Sequence, residues 1–343
     1  MFNFIVRRLV MLPVVILVLI AVIVGLGQLL TPEQRASAYI RNEQQARNMA
    51  RIIRDRGLDQ PFHVQYGIWL QNAFKGDLGV SKASGRDVLT TFVERFPATV
   101  ELTLMSSLMI IGVSIWIGTQ SALLKDKLFD QVMRVVTIIG GTVPVFVTGV
   151  LLLQIMYGFL GWFPGPGQVS AENIINLTIG AVPTRTGMLT VDALLAGNIP
   201  IFLDALWHMI LPAITLALIL GTTLIKATRA SMLDVIKQDY VRTARSKGLP
   251  ESAVNLKHAR RNALMPIVTL GGSLIFVDLL QGAFFTETVY ARKGIGAWIG
   301  EAATQLDFGG MLGSAFFVGL IVVIGNLITD MLYTFVDPRV RFE

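Results

Sequence analysis

The chain has 343 residues, a formal net charge of +6, no cysteine, 53% hydrophobic and only 15% charged residues, and a mean hydropathy of +0.62. Soluble domains average about 25% charged residues, so the composition argues against one, and the lack of cysteine excludes disulfides, thiolate catalysis and Cys-ligated metals. The apolar residues come in continuous blocks near the bilayer-spanning length of about 20 residues and do not alternate as barrel strands do. The fold class is therefore an all-α polytopic membrane protein, and its positive charge reads as loop orientation in a membrane, not as nucleic-acid binding.

Residues 9–30 form the first predicted span, with Arg7 and Arg8 ahead of 22 mostly apolar residues. The run exceeds the roughly 7–15-residue core of a cleaved signal peptide and reads as an anchor with its N-terminus inside. A polar segment, 31–98, follows. Thr31, Pro32 and Gln34 form an N-cap, an N1 proline and a capping-box partner. A helical stripe continues through Tyr39, Ala46, Met49 and Ile53, and Gly57 closes that helix. Trp69 and Phe74 are expected at the membrane interface. The segment holds ten basic and seven acidic residues, yet it is longer than the roughly 60-residue loops whose charge reports topology. It is placed outside.

Further spans are predicted at 99–123, 132–158, 207–225, 264–286 and 311–335, which makes six and puts both termini on the cytoplasmic side. Lys125, Lys127 and Arg134 fall inside, as do the nine basic and three acidic residues of 226–263 and the tail residues Arg339 and Arg341. The outer loop 159–206 has only Arg185, and 287–310 has Arg292 and Lys293. The chain thus divides into an anchor (1–30), an extracytoplasmic segment (31–98), a transmembrane core (99–335) containing a cytoplasmic loop (226–263), and a cytoplasmic tail (336–343). No internal repeat, low-complexity tract or appended soluble domain is visible.

Within the spans, Gly140, Gly141 and Pro144 interrupt the third, either as a pathway gate or as a packing kink. A charge at a helix centre costs about 2.5–3.5 kcal/mol, so Asp278, deep in the fifth span, should face protein or water. It either lines a translocation path, where it meets a substrate amine, or hydrogen-bonds to a second subunit. Asp278, Pro144 and Gly141 are the path candidates. Glu101, Arg134 and Asp330 lie nearer span ends and should be interfacial or paired. Gly309 and Gly313 permit a close helix contact.

Enzymatic signatures are missing. Gly-Lys, the end of a phosphate-cradling loop, occurs nowhere, and neither H-E-x-x-H nor G-x-S-x-G is present. His63, His208 and His258 are scattered along the chain. Self-sufficient secondary transport would need coupling-ion sites and often shows inverted repeats; neither is evident. An intramembrane enzyme has no constellation to support it.

The stretch 239–266, "DYVRTARSKGLPESAVNLKHARRNALMP", is polar, carries six Lys or Arg, and lies between two apolar runs. Tyr240, Val241, Ala244 and Gly248 recur at helical spacing. Gly248 suits the left-handed position after a helix, Pro250 starts a second helix, and Glu251 places negative charge at its positive end. Val254, Leu256 and Ala259 carry that helix towards the membrane. The result is a short helix, a tight turn and a second helix: a rigid knob that fits a partner's groove. The plain alternative is an inner loop obeying the charge rule.

Here the sequence resembles the EAA loop of binding-protein-dependent ABC importer permeases, in the dipeptide/oligopeptide (nickel) branch, as its first-permease type. Asp239 to Arg245 and Lys247 to Leu249 match the branch's D-Y-V-R-T-A-R-A-K-G-L. His258, Ala259, Arg261, Asn262, Ala263 and Pro266 match H-A-x-R-N-A-x-x-P. Arg242-Thr243-Ala244 departs from the wider Glu-Ala-Ala pattern, and the Gly-to-Pro spacing is longer than in sugar importers. "GLDQPFHVQYGIWLQNAFKGDLGVS" (57–81), "RFPATVELTL" (95–104), "GAFFTETVY" (282–290) and "NLITDMLYTFVDPRVR" (326–341) are similar in order. Arg292-Lys293-Gly294-Ile295-Gly296 departs, since the family usually has Trp-Pro before Gly-x-Gly.

The resemblance implies the type I ABC importer permease fold with six transmembrane helices. It implies a permease subunit that moves di- or oligopeptides across a cytoplasmic membrane by alternating access, with nickel or oligosaccharides as the alternative cargo. Tyr240, Arg242, Ala244, Arg245, Gly248 and Leu249 would couple to a cytoplasmic ATPase. The implied partners are a second homologous permease subunit in a heterodimer, two ABC ATPase domains and an extracytoplasmic solute-binding protein, in membrane lipid. The chain itself would bind no cofactor, with ATP and Mg on the ATPase partners.

Overall fold

The structure is a computed structural model that describes residues 2–40, 44, 47–264, 267 and 284–336. It is almost wholly helical. Helix α1 (Phe2–Gly27) is followed by the short α2 (Pro32–Ala36), α3 (Met49–Asp55) and α4 (Phe62–Phe74). A two-stranded hairpin, β1 (Val80–Ser81) and β2 (Arg86–Asp87), pairs Val80 with Asp87 and leads into the long α5 (Val88–Leu123). Next come α6 (Leu128–Thr142), α7 (Val145–Leu152) with a π-helical extension to Phe159, and the short helices α8 (Ala171–Thr178) and α9 (Leu189–Leu195). Helix α10 (Ile199–Ile236) is the longest, and α11 (Asp239–Ser246) follows it. Helix α12 (Glu251–Ala253) runs through the π-helical Val254–Ala259 into α13 (Arg260–Ala263), and α14 (Ile295–Thr304) and α15 (Phe308–Val336) complete the chain.

Among the described residues, α1, α5, α10 and α15 are each long and apolar enough to cross a bilayer, and α6 with α7 adds a fifth candidate as a broken span. The predicted third span is therefore not a kinked rod. The chain bends by 113° between its two halves. Val143 is extended (ψ 130°) and Pro144 (φ −58°, ψ 145°) precedes α7. That is the conformation forced on a residue ahead of proline. Pro144 thus starts a helix and does not bend one from within. The predicted fifth span, 264–286, with Asp278, lies largely outside the described residues.

The core is built around α5 and α10. Leu102, Ile110, Met209, Leu216 and Leu224 are buried between them. The helices approach closely because small residues sit at the crossing: a Cβ on Gly118 would lie 2.6 Å from Thr228 Cβ, and Ser114 Oγ donates to Gly221 O at 3.2 Å. Gly140 does the same for α6, where a Cβ would come within 2.7 Å of Leu218 O on α10. At that position the packing reading of the glycine pair is the one observed.

The segment after α1 is tied to the other end of the chain. Thr31 caps α2 as a full capping box, with Gln34 N donating to Thr31 Oγ1 at 3.3 Å and Thr31 N to Gln34 Oε1 at 2.9 Å. The expected single helix from there to Gly57 is interrupted: among the described residues, α2 passes into a 3-10 turn at Ser37–Tyr39, Ile40 is extended (φ −89°, ψ 117°), and α3 follows at Met49. Ala46, in the predicted stripe, lies outside the described residues. Gly57 does close α3, with φ 59°. Trp69 packs edge-on to Phe316 of α15 with ring centroids 5.4 Å apart, whereas Phe74 is 85% exposed. Gly309 and Gly313 admit the hairpin and the start of α5, since Cβ atoms there would strike Val80 O and the Val88 side chain.

Candidate functional site

Two constructions stand out: an elbow at one end of α10 and a buried polar staple towards the other. The elbow begins where Gln238, extended at φ −69° and ψ 151°, ends α10's turn and opens α11. Asp239 in the first turn and Arg245 in the last complement the helix dipole. Val241 and Ala244 point inward and are buried with Val254, against Val235. Gly248 has φ 77°, a region an L side chain enters only at a cost. Its N–H donates to Arg245 O at 2.9 Å and closes the helix. Pro250 (φ −64°) then caps α12, and Arg245 Nε reaches Glu251 Oε1 at 2.8 Å across the turn.

The second arm is π-helical over Val254–Ala259, which adds a residue per turn. Val254 and Ala259 are both fully buried on the inner side. Leu256, two residues beyond Val254, is 45% exposed. Ala259 and Ala263 pack with Met232 and Ala122, and Ser231 Oγ donates to Ala263 O at 2.8 Å. The elbow is thereby fixed to the ends of both α10 and α5. Tyr240 OH accepts from Asn262 Nδ2 at 2.8 Å and ties the first arm to the second.

The predicted site residues separate on this scaffold. Ala244 and Gly248 shape the elbow from within, together with Val241 and Val254. Tyr240 (41% exposed) and Leu249 (40%) present apolar surface, and Arg242 and Arg245 are exposed beside them. Leu256 is a third exposed apolar point. The arrangement holds no acid–base pair and no nucleophile with an adjacent base. What it offers is a rigid apolar projection with a basic rim.

Of the path candidates, Pro144 and Gly141 are exposed at the break between α6 and α7. A Cβ on Gly141 would lie 3.3 Å from Thr222 Oγ1 and 3.8 Å from Lys226 Nζ. Asp278 lies outside the described residues.

The staple accounts for Glu101, one of the charged residues near span ends. Glu101, 5% exposed, accepts from Thr190 N and Thr190 Oγ1, both at 2.6 Å, and from Arg292 Nη2 at 3.3 Å. Glu287 accepts from Thr99 Oγ1 (2.6 Å), Gly296 N (2.7 Å) and Ala297 N (3.2 Å). The departing sequence Arg292–Gly296 is thus used structurally, because Arg292 is buried as the counter-charge to Glu101. Asp192 nearby accepts from Arg185 N, Thr186 N, Thr186 Oγ1 and Gly187 N at 2.8–3.1 Å. Burial pushes its carboxyl up, but these donors outweigh burial and hold it below the usual carboxylate range. Arg134 is paired as expected, with Asp126 and Asp130.

Comparison with known proteins places these features in a family. Residues 110–342 match the family described as "Binding-protein-dependent transport system inner membrane component", and residues 1–103 match the N-terminal family of such components. A probable D,D-dipeptide transport system permease protein of Escherichia coli K12 is 37% identical over 92% of this chain and 88% of its own length. A di/tripeptide transport system permease protein of Pseudomonas aeruginosa is 35% identical, over 86% and 85%. A dipeptide transport system permease protein of Alkalihalophilus pseudofirmus is 31% identical, over 95% and 98%.

Proposed function

Because the chain belongs to the family of binding-protein-dependent transport system inner membrane components, we propose that it is the peptide-conducting permease subunit of an ATP-driven importer, and that its elbow is where a cytoplasmic ATPase takes hold. The observation that carries the coupling assignment is the elbow itself. Its interior is closed by Val241, Ala244 and Val254, while Tyr240, Leu249 and Leu256 are left in the open on a short, doubly anchored helix pair. Exposed apolar side chains on a stiff projection suit a groove in a partner. The peptide cargo rests on the relatives, whose names specify dipeptides and tripeptides.

In this reading the chain forms a pore with a second, homologous permease subunit and receives solute from an extracytoplasmic binding protein. Both termini and the elbow lie in the cytoplasm. ATP and Mg are bound and used by the ATPase pair. Closure of that pair moves the elbow and exchanges inward and outward openings, with the break at Val143–Pro144 and Asp278 as candidates along the path.

The test is to purify the chain with its ATPase and partner permease and to measure ATP hydrolysis with a binding protein carrying a dipeptide or a sugar. Stimulation by the peptide-loaded receptor is expected, and stimulation by sugar alone would overturn the cargo. The chain has no cysteine, so Lys247→Cys is a clean orientation probe. It should react with a membrane-impermeant thiol reagent only from the cytoplasmic side.

A further inference from the structure

A cavity of about 260 Å³ opens between α6 and α10 near the elbow end of the bundle, away from the elbow's exposed surface. Its lining includes Ser121, Arg134, Thr137, Ile138, Lys226 and Arg229, with Asp130 at its base. Three cations therefore face one carboxylate. That carboxylate is spent: Arg229 holds both oxygens at 2.7 and 2.8 Å, and Arg134 Nη2 and Asp126 N add bonds at 2.7 and 3.0 Å. Arg134 is further engaged by Asp126 at 2.7 Å. Lys226 is exposed and, among the described residues, has no hydrogen bond or ion pair. Ser121 is 1% exposed, and its hydroxyl has no partner among the described residues.

The surroundings of the cavity are apolar. Ile138 is 61% exposed, Ile139 57% and Val135 55% along the face of α6 beside it. A site with unspent positive charge, a buried unpaired hydroxyl and an apolar flank matches an amphiphile whose head is anionic and whose tail is hydrocarbon.

We propose that this cavity holds the phosphate of an anionic phospholipid, with Lys226 and Ser121 as the free donors and the acyl chains laid along Val135, Ile138 and Ile139. Basic pockets between transmembrane helices are a recurrent setting for such headgroups. The leaflet follows from the proposed orientation: if the elbow is cytoplasmic, the lipid belongs to the inner leaflet. Binding itself does not depend on that orientation. A free phosphate satisfies the same donors but makes no use of the apolar flank.

The experiment is native mass spectrometry of the detergent-purified full chain with its partner subunits, titrated with phosphatidylglycerol or with phosphatidylcholine of the same acyl chains. Preferential retention of phosphatidylglycerol is expected. Lys226→Gln should weaken it about fivefold, the value of one lysine at an anionic surface, and Ser121→Ala should weaken it further. Lys75→Gln, in the extracytoplasmic segment, should leave it unchanged. Lys226 is exposed and unpaired, so its substitution leaves the fold intact. Equal retention of phosphatidylcholine, or equal loss in the Lys75 variant, overturns the proposal. Displacement by excess inorganic phosphate identifies a soluble-anion site, and displacement by excess dipeptide identifies part of the solute path; either also overturns it. Because binding is read in detergent, an inverted orientation would appear in the Lys247→Cys labelling and not here.

Discussion

Replacement of Gly248 gives a graded test of whether elbow geometry transmits work. The residue sits at φ 77°, and a Cβ built there meets nothing within 4 Å. Gly248→Ala therefore adds no clash; its cost is the left-handed backbone alone, about 1–2 kcal/mol, or roughly a 5- to 30-fold shift towards an opened elbow. Gly248→Asn should cost less, because its short polar side chain visits this region routinely. Gly248→Pro is of another kind: its ring fixes φ near about −65°, and it removes the N–H that donates to Arg245 O at 2.9 Å. Neither defect can be met without unwinding the end of α11. The assay is peptide uptake normalised to permease in the membrane, with peptide-stimulated ATP hydrolysis alongside. The expected order of uptake is wild type, Asn, Ala, then Pro near zero, all four inserted. Uptake by Gly248→Pro at the wild-type level would refute the coupling role, and loss in all three variants alike would refute the backbone argument.

Three further outcomes follow from the buried polar groups. Glu101→Ala removes the carboxylate hydrogen-bonded to Arg292, which is 2% exposed and whose Nε and Nη1 have no partner among the described residues, and leaves Glu287 as the remaining acidic neighbour of that buried charge. It should cost about 3–5 kcal/mol, read as a large fall in the melting temperature of the purified complex. Trp298→Phe loses the Nε1 bond to Ser81 Oγ (3.0 Å) in the hairpin cluster and should destabilise by about 1–3 kcal/mol. Asp192 has a lowered folded pKa, so its contribution is complete above its unfolded value, near about pH 4, and is lost as pH falls through the folded value. The stability gap between wild type and Asp192→Asn should therefore narrow as the medium is acidified below that point. A constant gap would show that Asp192's bonds do not depend on its charge.

Much of this was legible in the sequence because it is local. Thr31–Gln34 fixes a cap within four residues, and Gly248-Leu249-Pro250 fixes a turn within three. The apolar blocks follow from the absence of water in the bilayer, which forces every backbone group into a helix. What was not legible depends on register or on distant partners. The π turn at Val254–Ala259 changes the helical period, and no local signal in the sequence announces it. The break at Val143–Pro144 could be located from Pro144, but the angle of 113° could not, since neighbouring helices set it. Arg292 looked like a misfit in its motif; its partner, Glu101, lies 191 positions away.

The elbow's own contacts are too few to make it a lever. Its sealed interior is three small side chains and part of Val235, and the Arg245–Glu251 pair, at 38% and 63% exposure, is worth about 0–1 kcal/mol. Stiffness must come from what it is bolted to. Helix α10 has 38 residues, about 57 Å of continuous helix, and α5 is locked against it at Gly118–Thr228 and Ser114–Gly221. On the proposed coupling, a push at the elbow displaces this pair as one body, because sliding would break the glycine contacts. The far end is held in turn by Glu101 on α5, which is joined to Thr190 and Arg292. Yielding is then left to the segment that the pair does not stiffen. That segment is the joint at Val143–Pro144, which separates the end of α6 at Thr142 from the start of α7 at Val145.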